Sequence, residues 1–194
     1  MVQTDVKIES YFPTSMGYGW NKELAAHYLP IIKGILDEQA DESFFWKGKT
    51  THNQDDFRLA EHPEMDLMKE FVWNVSKQYL EQLGYDSNYL KGDIFLIANA
   101  LEQGSFHKSH THYNCLLSGV WYLQVPEDSA PLEFETPVFP ALLTQIPKKD
   151  ETNPLNWTNT YLYPATGYYT VFPPYIRHAV LPNDSLDSRI AISW

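Results

Sequence analysis

Two apolar periodicities divide this chain of 194 residues near position 90. From Asn21 to about Gln39, Leu24, Tyr28, Ile31, Ile32, Ile35 and Leu36 recur at helical spacing. Asn21 is suited to cap that helix and Pro30 to kink it. A clearer helix is predicted from about Glu64 to Leu83, where Leu67, Phe71, Val75, Tyr79 and Leu83 step by four and Met68 and Val72 widen the stripe. Pro63 before it and Gly84 after it match the chemistry of helix starts and stops. A Met and aromatic stripe of this kind packs on a sheet rather than on a cofactor.

From Lys91 onward the pattern shortens to β-type runs at Asp93–Asn99, Leu116–Gln124, Leu132–Glu135, Tyr168–Phe172, Ile176–Leu181 and Ile190–Trp194. Turn signals such as Glu102-Gln103-Gly104, Pro126-Glu127-Asp128 and Pro182-Asn183-Asp184-Ser185 separate them, as in an antiparallel sandwich or barrel. Helices first and strands afterwards predict an α+β, mainly β, jelly roll whose helices buttress one sheet. No Gly/Ser-rich or Pro-rich linker interrupts the sequence, so residues 1–194 read as one domain, with 1–90 as helical support and 91–194 as the β core. The polar, Pro/Asn-rich stretch Ile146 to Thr160 reads as a long surface loop, a length at which loops often serve as lids.

Composition narrows the partners. Acidic residues outnumber basic ones 25 to 14, a net charge of -11 that repels both a nucleic-acid backbone and an anionic membrane. The same surplus favours a neutral or basic substrate over a polyanion. Cys115 is the only cysteine, which excludes an intrachain disulfide and suits a reducing interior; it reads as a small buried apolar residue. Without an apolar signal core or a run long enough to span a bilayer, the expectation is a soluble, cytoplasmic protein.

The chemistry is concentrated in His110-Thr111-His112 and the later His178. In an extended segment His110 and His112 point the same way while Thr111 points into the opposite layer. A sandwiched sheet brings His178 from a distant strand to that pair and makes a metal-binding face. Imidazole suits Fe, Zn, Cu and Ni alike, so three histidines do not name the metal. Arg189 follows His178 by eleven positions across a turn, which sets both on neighbouring strands facing one interior; a fixed guanidinium behind a metal is what a bidentate carboxylate ligand requires. His27, His52, His62 and His107 read as ordinary hydrogen-bonded or exposed histidines.

The segments His110-Thr-His-Tyr-Asn-Cys-Leu-Leu-Ser-Gly-Val-Trp-Tyr-Leu, Pro131-Leu-Glu-Phe-Glu-Thr-Pro, Gly167-Tyr-Tyr-Thr-Val-Phe-Pro-Pro-Tyr-Ile-Arg-His178 and Arg189-Ile-Ala-Ile-Ser193 resemble the Fe(II)/2-oxoglutarate-dependent oxygenase superfamily. Within it the nearest branch is the one related to prolyl 4-hydroxylases, which shows a similar His-x-His, Ser-Gly-x-x-Tyr-Leu and Phe-Pro-x-x-x-x-His order. The resemblance implies a double-stranded β-helix over roughly Asp93 to the C-terminus, with His110 as first and His178 as last iron ligand. It implies Arg189 on the distal carboxylate of 2-oxoglutarate as cosubstrate, helped by the hydroxyls of Tyr122 and Ser193, two residues that fit plain packing equally well. The reaction implied is hydroxylation of a small-molecule or peptide substrate with release of succinate and CO2.

One position departs from that superfamily. Its usual His-x-Asp or His-x-Glu supplies a carboxylate, where this chain has His112. The third ligand is then His112 or a substitute such as Glu135, with His112 ranked first. Two other classes compete: a cupin-like metalloprotein, since Gly104 and His110-Thr-His112, then Gly167, Pro173 and His178, echo the cupin motifs, and a non-catalytic β-sandwich binding module. Cupins add a Glu where Leu116 and Leu117 stand here and have no need of Arg189, which favours the oxygenase.

Overall fold

The computed structural model describes residues 7, 9–42, 47–52, 56–138 and 153–194. Strand β1 (Gly17–Trp20) leads into helix α1 (Lys22–Gln39), followed by the short strands β2 (Asp41–Glu42) and β3 (Lys49–Thr50) and by helix α2 (Asp66–Gln82). Then come β4 (Ile97–Leu101), β5 (His107–His110), β6 (Ser118–Gln124), β7 (Leu132–Glu135), β8 (Asn159–Leu162), β9 (Tyr168–Phe172), β10 (His178–Val180) and β11 (Arg189–Ser193). They pair antiparallel into a seven-stranded sheet, β1-β9-β6-β11-β4-β3-β2, and a four-stranded sheet, β5-β10-β7-β8. The architecture is the expected α+β, mainly β, jelly roll.

Alternation along the strands divides the interior into two layers. Ala98 and Ala100 of β4, Trp121 and Leu123 of β6, and Ile190 and Ile192 of β11 pack against Tyr28, Ile32, Leu36, Met68 and Val72 of the helices. Leu101, Val120, Tyr122 and Ala191 face the other way and meet Leu132, Phe134 and Val180 of the smaller sheet. Both helices are thus committed to one face of the large sheet, which leaves its other face to form a chamber with the small sheet. Gly119 follows from this packing: a Cβ there would lie 2.2 Å from the Trp194 ring.

Asn21 caps α1 as expected, accepting a hydrogen bond from the Leu24 N–H at 3.0 Å, and α1 runs through Pro30 as one element. The start of α2 is held differently. Its N-cap position, Met65, has no side chain able to cap. The buried Tyr28 hydroxyl instead accepts from the Met68 N–H at 2.9 Å and donates to the Glu64 carbonyl at 3.0 Å, so α1 caps α2 through tertiary contact.

Several expectations shift. The run Asp93–Asn99 becomes a strand only from Ile97, because Ile94 and Leu96 pack on the helix-side core in irregular backbone. Cys115 is exposed rather than buried: it lies in the connection before β6, which turns at Asn114 with φ 57°. Of the proposed loop Ile146 to Thr160, residues 146–152 lie outside the described residues, while Pro154–Asn156 form a 3-10 turn and Asn159 begins β8. Among the described residues no helix is long and apolar enough to cross a membrane.

Replacing Tyr28 with Phe keeps the packing but strands a buried N–H and weakens the α1–α2 junction. The expected loss is about 1–3 kcal/mol by urea denaturation; a variant as stable as the parent would show that this bridge does not hold the helices.

Candidate active site

The chamber is a cavity of about 490 Å³ between the two sheets, lined by residues of β4, β5, β6, β7, β9, β10 and β11 and by the connection after β5. From β4 come Ile97, Asn99 and Leu101, from β6 Val120 and Tyr122, and from β11 Arg189, Ala191 and Ser193. The small sheet contributes His107, His110, Leu132, His178 and Val180, and His112 and Cys115 follow β5.

Strands β10 and β5 pair so that His178 stands opposite His110. Their rings lie 4.3 Å apart between centroids. Strand β5 ends at His110, so the expected strand does not continue through His112. Position 112 is nevertheless fixed, because its N–H donates to the Pro174 carbonyl at 3.0 Å and its ring turns toward the same point. One nitrogen from each of His110, His112 and His178 falls within 4.8 Å of the others, and the Nε2 atoms of His112 and His178 are 3.2 Å apart. Two ligands bound cis to one ion at about 2.1 Å each would sit about 3 Å apart, so this spacing suits a shared cation.

The tautomers suit it too. His178 Nδ1 lies 2.9 Å from the Ile176 carbonyl and His110 Nδ1 lies 2.8 Å from the Lys108 carbonyl. A carbonyl only accepts, so each Nδ1 carries the proton and each Nε2 presents its lone pair to the cavity. Burial, then the charge of neighbouring His110, pushes His178 down to about 3; the same two causes take His112 to about 4. Burial also lowers His110. All three rings are neutral near pH 7, the form that binds a metal.

Glu135 is not the third ligand of this group. Its strand does pass the site, since Phe134 pairs with His178. Alternation turns Phe134 inward and Glu135 outward, where its carboxylate accepts from Ser109 Oγ at 2.6 Å and lies 3.9 Å from Arg177 Nε.

At the other end of the chamber Arg189 is buried, with its guanidinium carbon 4.8 Å from the centroid of the Tyr122 ring. Arg189 Nε and Tyr122 Oη are buried with no hydrogen-bond partner. Unpaired donors at such depth are costly unless an anion meets them. Burial raises the Tyr122 hydroxyl against the pull of Arg189, which keeps it a proton donor. Ser193 shares the cavity-facing side of β11 but stands four residues along, about 13 Å from Arg189 by strand rise, and its Oγ accepts from Asn99 Nδ2 at 3.2 Å. The structure therefore separates Ser193 from Arg189, while Tyr122 stands opposite Ala191 between them.

The lining also includes Asn99, which the sequence did not single out, and His52 and His107, which it read as ordinary histidines. His107 stacks on His110 at 4.3 Å. Residues three apart on a regular strand face opposite ways, but Val180 pairs with His107 while His178 pairs with His110, so three steps of β5 match two of β10. That bulge returns His107 to the cavity.

The family model described as "Putative 2OG-Fe(II) oxygenase" matches residues 97–194. No curated protein matches the chain. Among solved structures, a Pseudomonas putida prolyl-4-hydroxylase superposes with TM-score 0.64 at 13% identity, covering 93% of this chain and 90% of its own. The non-heme α-ketoglutarate-dependent epimerase SnoN from nogalamycin biosynthesis gives 0.62 at 15% identity, with 93% and 77% covered. A Trichoplax adhaerens prolyl hydroxylase, solved with a hypoxia inducible factor peptide, gives 0.58 at 10% identity, with 92% and 81% covered. At these identities the likeness is one of fold.

The lowered imidazoles set a pH dependence for the metal-free protein. Above 6.5 folded and unfolded chains both hold these rings neutral; below 6.5 the unfolded chain takes protons that the folded one refuses. Stability must then fall as pH drops from 6.5 toward 3. Urea denaturation at pH 7 and pH 5.5 should show this loss, and His178→Gln should reduce it. Equal stability at the two pH values would contradict the buried, neutral state of the rings.

Proposed function

The chain belongs to the 2OG-Fe(II) oxygenases, and from that premise we propose that it hydroxylates a C–H bond of a small-molecule or peptide substrate while 2-oxoglutarate and O2 become succinate and CO2. One oxygen atom enters succinate and the other the new hydroxyl. The observation that carries this reading is the placement of three neutral imidazole nitrogens at one end of a cavity whose other end holds an unpartnered Arg189–Tyr122 pair.

When bound, Fe(II) supplies the dioxygen chemistry and 2-oxoglutarate the electrons for it. His110, His112 and His178 hold the ion through Nε2, with the Ile176 and Lys108 carbonyls orienting two of the rings. Arg189 takes the distal carboxylate of the cosubstrate, and Tyr122 donates its hydroxyl to the same group. Ser193, with Asn99 behind it, lines the stretch of wall farther along β11. Val120, Leu132 and Phe172 exclude water from the intervening space. A cupin-like site that does without 2-oxoglutarate leaves the buried donors of Arg189 and Tyr122 unexplained.

Anaerobic addition of Fe(II) and 2-oxoglutarate should produce a visible metal-to-ligand charge-transfer band. His178→Ala should lack it, and Arg189→Ala should need at least about tenfold more 2-oxoglutarate to reach the same intensity. Absence of the band in the parent protein, or an unchanged titration in Arg189→Ala, would contradict the proposal.

A further inference from the structure

The chamber contains no anion of its own among the described residues. Its lining includes five histidines and Arg189, but neither an Asp nor a Glu. Glu135, the acid brought nearest by strand pairing, is turned outward onto Ser109 and Arg177. In a chain with a net charge of -11, no described carboxylate lines this apolar-walled cavity.

This inference rests on the function proposed above. Fe(II) with 2-oxoglutarate is neutral in sum, and the three imidazoles add nothing, so Arg189 leaves one positive charge in the loaded cavity. A carboxylate at position 112 would have cancelled it. Of the other groups on the wall, Cys115 Sγ donates to the Tyr113 carbonyl at 3.3 Å and the buried Tyr122 hydroxyl lies on the ring that the Arg189 guanidinium covers. An uncompensated charge in a water-poor site is unfavourable and attracts a counter-charge from whatever enters.

We propose that the second substrate of this enzyme is a monoanion, a small carboxylic acid with an apolar body, whose charge completes the neutrality that His112 leaves unmet. The apolar body follows from the walls that remain once the cosubstrate is seated, among them Phe95, Ile97, Val120, Leu132 and Phe172. The chain's overall charge points toward a neutral or basic substrate, but that charge lies on the outside; the cavity's own lining decides what enters it.

Calorimetry on the anaerobic protein loaded with Fe(II) and 2-oxoglutarate tests this without turnover. The probes are benzoate, benzamide and benzylamine, which share a ring and differ in charge. Benzoate should bind at least about tenfold more tightly than benzamide, benzylamine should bind weakest, and the charge-transfer band should persist throughout. In His112→Asp, which restores a carboxylate beside the metal, the preference of benzoate over benzamide should shrink severalfold. Benzamide binding as tightly as benzoate in the parent protein would overturn the inference and leave the proposed function standing. Loss of the band on adding benzoate would overturn it as well, because the anion would then have taken the cosubstrate's place. Failure of the band to form at all would remove both readings together.

Discussion

The register between β10 and β5 is the constraint on which the site depends. Side chains alternate along a strand, so a slip of one residue in that pairing would send His178 or His110 to the outer face. The observed register sets the two opposite each other, and each ring is then turned by its own Nδ1 onto a backbone carbonyl two residues earlier in the chain. The third imidazole enters from irregular backbone, held by one main-chain hydrogen bond to Pro174. Metal-ready geometry is in this way written into backbone pairing, with little left to side-chain freedom.

What surrounds the rings explains why they remain ligands. The large sheet gives one face to the helices and keeps the other for the chamber, so the cavity is walled by Val120, Phe172 and Leu132. Desolvation keeps the imidazoles neutral and makes Arg189 and the Tyr122 hydroxyl costly to leave alone. The same burial that destabilises the metal-free fold at low pH keeps the imidazoles ready for a cation and, on the function proposed above, Arg189 and Tyr122 ready for an anion. Replacing the usual carboxylate by His112 changes the charge of that arrangement by one unit while leaving its shape.

The parts of this fold legible in the sequence are those set by local periodicity. Asn21 announces α1, the stepped stripe from Leu67 to Leu83 announces α2, and His-x-His with His178 announces the ligand group. Arg189 faces the same interior as His178, as its spacing suggested, but from the opposite sheet rather than from a neighbouring strand. The less legible parts come from interactions that pattern alone does not encode. His107, read from the sequence as an ordinary histidine, reaches the cavity because of a bulge that breaks the regular alternation of β5. His52 and Asn99 arrive through tertiary pairing, as the Thr50 hydroxyl donates to Asn99 and accepts from the His52 N–H. Strand β8 lies in a polar run whose pairing with β7, Glu135 opposite Asn159 and Leu132 opposite Leu162, is made across a long connection. Tyr28, read only as part of an apolar stripe, carries in its hydroxyl the cap of another helix.

The central claim is that one ion sits among three imidazoles and no carboxylate. An anomalous difference map from crystals loaded with Fe(II) under anaerobic conditions tests it most directly. The account predicts a single peak about 2.0–2.2 Å from Nε2 of His110, His112 and His178, with Glu135 still turned away. A peak bound to Glu135 or Cys115, or one that leaves His112 free, would contradict it.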